Sequence, residues 1–107
     1  MVYELRIYTA APGKLEELNQ RFRQLTLGLF ERHGMQVVGF WEPLEPDNSE
    51  LIYLLAYPSQ EAHAASWDAF RSDPDWVQGK AESERNGPLT SHITSRIMQP
   101  TDYSPLK

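Results

Sequence analysis

In "VYELRIYTA", Tyr3, Leu5 and Ile7 alternate with Glu4, Arg6 and Tyr8. A period of two is what a half-buried strand requires, and it predicts a strand over residues 2–9. "AAPG" turns the chain. Leu15, Leu18, Phe22, Leu25 and Leu29 then recur in steps of three and four, which predicts a helix over residues 14–33. Gly34 follows His33 and suits the left-handed residue that ends a helix. "MQVVGFWE" (35–42) reads as a strand of β-branched and aromatic residues, with Gly39 marking a bulge or a close approach. "LIYLLAY" (51–57) is apolar on both faces, as a strand covered on both sides should be.

Ser59 is placed to cap a helix over residues 60–72 that carries Ala62, Ala65, Trp67, Ala69 and Phe70. Asp73 caps and Pro74 opens a further helical segment ending near Glu84. "SHITSRIMQ" (91–99) is the last strand. None of the eight prolines falls in the interior of one of these segments, where a missing N–H would cost most. The resulting order, β-α-β-β-α-β with a divided second helix, predicts an α+β, ferredoxin-like fold: a four-stranded antiparallel sheet under helices. It occupies residues 1–100, followed by a tail over 101–107.

Helices cover one face of such a sheet. Leu5, Ile7, Ile93 and Ile97 suit the covered face. Glu4, Arg6 and Tyr8, with His92, Thr94, Arg96 and Met98, are then expected on the other. The third strand offers that face either Leu51, Tyr53, Leu55 and Tyr57 or Ile52, Leu54 and Ala56, and neither set is charged. A sheet surface with an apolar centre is poorly suited to water. The simplest cover is a second copy related by a two-fold axis, so a homodimer is expected, with Glu4, Arg6, Tyr8, His92 and Arg96 at its interface.

Composition narrows the partners. The chain is 107 residues long with a formal net charge of −5, from 10 basic and 15 acidic residues, and no cysteine. Disulfides and thiolate metal sites are excluded, and a reducing, cytoplasmic setting is expected. An acidic chain without a basic cluster argues against nucleic acid. Arg21, Arg23 and Arg32 lie among Glu16, Glu17 and Glu31, the signature of a solvated helix face. The first strand begins at Val2, so no secretory leader is expected. No apolar run approaches the roughly 20 residues of a membrane span.

Few residues invite chemistry. His63 shares a helix face with Trp67 and Phe70 and is the one candidate proton carrier. Trp41, Tyr57, Trp67 and Trp76 are candidates to line an aromatic ligand cavity between sheet and helices. His33, His63 and His92 lack metal-ligand spacing, so no metal is expected, and no resident cofactor either. The scattered glycines build no phosphate-cradling loop.

Five segments, "YELRIYTAAPGKLEEL", "HGMQVVGFW", "AYPSQEAHAA", "SDPDW" and "MQPTDYSPL", resemble the NIPSNAP family in order and spacing. The resemblance spans nearly the whole chain and implies a dimeric α+β barrel, in which two ferredoxin-like sheets face each other. The family commonly has an arginine where this chain has His63. No defined activity comes with the resemblance. The wider superfamily it implies includes cofactor-free monooxygenases, haem-degrading enzymes and chlorite dismutase-like proteins, a likeness of fold rather than of reaction. Two readings follow. One is a dimer that binds a small molecule or protein partner without turnover. The other is a cofactor-independent oxygenase using His63, Tyr57 and Trp67, or a haem-binding variant with His63 as axial ligand.

Overall fold

Local signals for turns and caps set the element boundaries in the computed structural model, which describes residues 1–107. Strands β1 (Val2–Ala10), β2 (Gln36–Trp41), β3 (Glu50–Tyr57) and β4 (Thr90–Met98) form one antiparallel sheet in the order β2-β3-β1-β4. After β1, α1 (Leu15–Arg21), a π-helical turn (Phe22–Thr26) and α2 (Leu27–Arg32) run on as one rod, and α3 (Gln60–Ser72) and α4 (Pro74–Ser83) follow β3. Gly13 and Gly34 adopt φ of 72° and 71° at the turn before α1 and the stop after α2, where a Cβ would be strained. The Ser59 hydroxyl accepts from the Ala62 N–H, and Asp73 accepts from the Asp75 N–H with Pro74 opening α4. Gly39 sits at a register shift between β2 and β3, with the Trp41 ring folded over it. The α+β, ferredoxin-like topology expected from the sequence is the one observed.

The side-chain faces of β1 are the reverse of those expected. Glu4 is 1% exposed and bonds to Trp67 of α3, and the Tyr8 ring lies 5.6 Å from Phe22 of the π turn. Glu4, Arg6 and Tyr8 therefore lie under the helices, not at an open interface. Leu51, Tyr53, Leu55 and Tyr57 share that face and are all buried. Leu5 and Ile7 point the other way, opposite Leu54 and Ile52 on one side and Arg96 and Thr94 on the other. His92 and Arg96 do lie on the open face, beside Thr9 and Leu5. Ile93 and Ile97 point to the helix side yet stay 43% and 41% exposed.

Polar residues can occupy the covered face because each brings its own compensation. An ionised carboxylate and a guanidinium side by side offset part of each other's desolvation, and tyrosine and tryptophan donors satisfy the remaining oxygens. Around them the core is aromatic: Phe22, Phe30, Tyr53, Trp67 and Phe70 pack at centroid distances of 5.1–6.4 Å, edge-on or tilted.

Candidate functional site

The side chains that meet under the helices come from three strands and one helix. Glu4 Oε1 accepts from the Tyr57 hydroxyl at 2.9 Å and from the Trp67 indole N–H at 2.8 Å. Its Oε2 accepts from Arg6 Nη1 at 2.8 Å and from the Ser95 hydroxyl at 2.6 Å. Arg6 in turn donates through Nε to the Tyr53 hydroxyl at 2.9 Å and through Nη2 to the Tyr8 hydroxyl at 3.1 Å. Tyr53 donates to Tyr8 at 2.9 Å, closing the set. The Arg6 guanidinium also lies 4.3 Å from the Trp67 ring centroid, on a surface whose negative π face attracts a cation.

This network fixes its own protonation states. Burial pushes the Glu4 carboxyl up, but hydrogen bonds from Ser95, Trp67 and Arg6 outweigh it and hold the group down at about 2. Burial and the neighbouring Glu4 carboxylate push the Tyr57 hydroxyl up, and burial does the same for Tyr53. At neutral pH Glu4 is a carboxylate, Arg6 a guanidinium, and Tyr53 and Tyr57 neutral phenols.

Arg6 and Tyr8 reach the wall of a cavity of about 340 Å³ between β1, β4 and the helices. That volume lies within the range of roughly 300–1,000 Å³ of small-molecule sites. Phe22, Phe30, Trp67, Phe70 and Trp76 supply its apolar wall, and Ile93 borders it on the β4 side. Phe22 and Thr26 reach it from the π turn, whose extra residue in the helical rise rotates that part of the rod relative to α1. In α4, Gly79 lets Leu25 approach to where a Cβ would meet its Cδ2 at 2.4 Å, which draws α4 and Trp76 close.

The residues singled out from the sequence divide. Trp67 and Trp76 line the cavity. Tyr57 is fully buried behind it, orienting Glu4. Trp41 lies on the opposite sheet face, 53% exposed against Gly39, and so is not a wall residue. His63 stands edge-on to Tyr57 at 4.9 Å, with Nε2 3.3 Å from Glu4 Oε1, buried and without a hydrogen bond, and outside the cavity lining. Three residues that matter most here, Glu4, Arg6 and Tyr8, are those the sequence assigned to a different face.

A second polar cluster stabilises the junction of α2, α3 and α4. Asp73 receives the His33 ring at 2.7 Å, Arg32 at 2.8 Å and the Asp75 N–H at 2.9 Å. The hydrogen bond from His33 and that from the Asp75 backbone hold its carboxyl down at about 2. Glu4 and Asp73 thus both lose a proton more readily in the folded chain than in the unfolded one, where their values are 4.5 and 3.8. Their stabilising contribution is complete above those unfolded values and vanishes as pH falls towards about 2. Urea unfolding at pH 7, 6 and 2.5 should give a flat midpoint between the first two and a steep loss at the third. The variant Glu4→Gln should show a shallower acid loss than the unsubstituted protein.

The sequence profile of the NIPSNAP family matches residues 3–105. A NIPSNAP family protein from Agrobacterium tumefaciens is 24% identical and superimposes with a TM-score of 0.86 over 99% of this chain and 98% of that one. An uncharacterized NIPSNAP domain protein from Burkholderia xenovorans is 23% identical, with a TM-score of 0.83 over 98% and 99% of the two chains. The fold extends to an antibiotic biosynthesis monooxygenase, 9% identical, with a TM-score of 0.61 over 94% and 99%. No curated protein matches the sequence. No helix is long and apolar enough to cross a membrane.

Proposed function

The chain belongs to the NIPSNAP family, and from that premise we propose that it is a homodimer that binds a small, planar, apolar-bodied molecule between sheet and helices. The observation that carries this reading is a cavity of about 340 Å³ with aromatic walls and a floor of fixed polar groups. Rigid hydrogen-bonded groups such as Arg6 and Tyr8 orient a ligand without first having to be ordered. The expected result is saturable binding of a neutral bicyclic aromatic, 2-naphthamide, read by calorimetry. Ile93→Trp, at a half-exposed position bordering the cavity, should abolish it while leaving the fold intact. Heats indistinguishable from dilution at millimolar probe would refute the binding site.

Dimerisation is supported by shape and by the open face. The chain measures 45 × 36 × 19 Å, and its radius of gyration of 14.5 Å exceeds the roughly 13 Å of a compact domain of this length. Its accessible surface is 6777 Å², against about 6,100 Å² from area scaling. Leu5, Ile7, Ile52 and Leu54 form the centre of the open face, with His92 and Arg96 at its β4 side. A cytoplasmic location accords with the cysteine-free sequence.

A cofactor-independent oxygenase is the second reading, favoured by the fold shared with an antibiotic biosynthesis monooxygenase and by Trp67 in the wall. Its weakness is the lack of a free base facing the cavity: Glu84, the one carboxylate on the lining, is tied up by Arg21 and Lys80. Glu4 is held at about 2 and stands behind Arg6, and His63 Nε2 is closed off beside Glu4. For the same reason His63 does not fit as an axial haem ligand in this cavity. Oxygen uptake with anthrone that Trp67→Phe abolishes would establish the oxygenase.

A further inference from the structure

Resting on the proposed binding site, we propose that its natural ligand is an aromatic anion, a carboxylate on a planar apolar body, whose charge is received by Arg21. The first observation is a local inversion of charge. The whole chain is acidic, at −5, yet Arg6, Arg21, Arg71 and Lys80 line the cavity against a single carboxylate, Glu84. A cleft of one sign inside a protein of the other focuses its field on the oppositely charged solute.

The second observation is Arg21 itself. Only 7% of the residue is exposed, and its Nε is buried with no hydrogen-bond partner. Its Nη1 donates to Glu84 at 2.9 Å and to Ser83 at 3.2 Å, which pins the guanidinium against α4. The guanidinium carbon lies 5.2 Å from the Trp76 ring, a wall residue of the same cavity. With Nη1 alone engaged, the planar guanidinium at the cavity wall keeps donors for a carboxylate, whose planar geometry matches it. Glu84 is itself shared between Arg21 and Lys80 at 3.0 Å, so it does not neutralise both.

The third observation concerns access. Arg71 is 63% exposed at the side chain and stands over the Trp67 ring at 5.4 Å. Its nearest carboxylate, Asp68, is 3.8 Å away, beyond hydrogen-bond distance. It is placed to draw an anion towards the aromatic wall, with Arg21 the acceptor of its charge inside.

Calorimetry with 2-naphthoate and its neutral isostere 2-naphthamide tests this on the intact protein. The expected result is naphthoate binding about tenfold tighter, as charge-assisted hydrogen bonds are stronger than neutral ones. In Arg21→Gln the preference should vanish, the two probes binding with equal affinity. Since Arg21→Gln also loses the Glu84 contact, the Nε–H resonance of Arg21 in the unsubstituted protein serves as a second readout. It should shift with naphthoate and stay in place with naphthamide. Equal binding of the two probes, or a preference that survives in Arg21→Gln, or an Arg21 signal unmoved by naphthoate, overturns the anion proposal and leaves the cavity. Binding of neither probe overturns both.

Discussion

Glu4→Ala is expected to lower the free energy of unfolding by about 3–5 kcal/mol, the cost of leaving one partner of a buried ion pair uncompensated. Arg6 keeps its charge: burial disfavours it, but Tyr53, Tyr8 and Glu4 around it more than restore the preference for the cation. Without the carboxylate, Arg6 Nη1, the Tyr57 hydroxyl, the Trp67 indole N–H and the Ser95 hydroxyl all lose their acceptor together. Glu4→Gln keeps the shape and an acceptor oxygen, so its loss should be smaller. The double variant Glu4→Gln/Arg6→Met removes both charges and should be more stable than the sum of the two single losses. Urea unfolding of the unsubstituted protein, Glu4→Gln, Arg6→Met and the double variant gives the coupling directly. A loss in Glu4→Ala below about 1 kcal/mol, typical of an exposed pair, would contradict the buried network.

The second large effect lies on the other side of the sheet. Leu54 stands at the centre of the open face, paired with Leu5 and flanked by Gly39 of β2. Leu54→Arg places a charge where the proposed two-fold contact needs apolar surface, and two copies of it face each other across the axis. At micromolar concentration the unsubstituted protein should sediment at twice 12.3 kDa, and the variant at 12.3 kDa. Leu54 is half-buried within one protomer, so the variant should remain folded. A monomeric unsubstituted protein would remove the dimer while leaving the Glu4 network as it is, because the network belongs to the helix side.

The contrast between these two faces shows what the sequence discloses. Alternation in β1 sorts Tyr3, Leu5 and Ile7 from Glu4, Arg6 and Tyr8, but it does not say which set the helices cover. Average hydrophobicity favours the wrong set here, because Glu4 and Arg6, besides pairing with each other, rely on partners 47 to 91 residues away in the chain. One local signal does point to the observed arrangement. In β3 the set Leu51, Tyr53, Leu55 and Tyr57 is the bulkier, and its two buried hydroxyls require polar neighbours, which β1 supplies only as Glu4, Arg6 and Tyr8. The caps at Ser59 and Asp73, the stop at Gly34 and the bulge at Gly39 are readable because their physics is local. The π turn is not, since Leu15, Leu18, Phe22, Leu25 and Leu29 fit an unbroken helix. In the fold, Arg21 and Thr26 are buried and Leu27 is 38% exposed. Arg21, in α1 before that turn, stands three residues after Leu18 and four before Leu25, and so lies at the cavity wall rather than on the expected solvated face.

The proposed ligand side is the helix-covered face, where Arg6 and Tyr8 reach the cavity, and the three tryptophans mark the two faces. Trp67 and Trp76 line the cavity, whereas Trp41 lies on the far side of the sheet. In a proton–nitrogen correlation spectrum the three indole N–H signals can be followed during titration with 2-naphthamide. The signals of Trp67 and Trp76 should move together along one saturation curve while that of Trp41 stays fixed. Movement of Trp41 alone would put the binding surface on the open face and contradict the account.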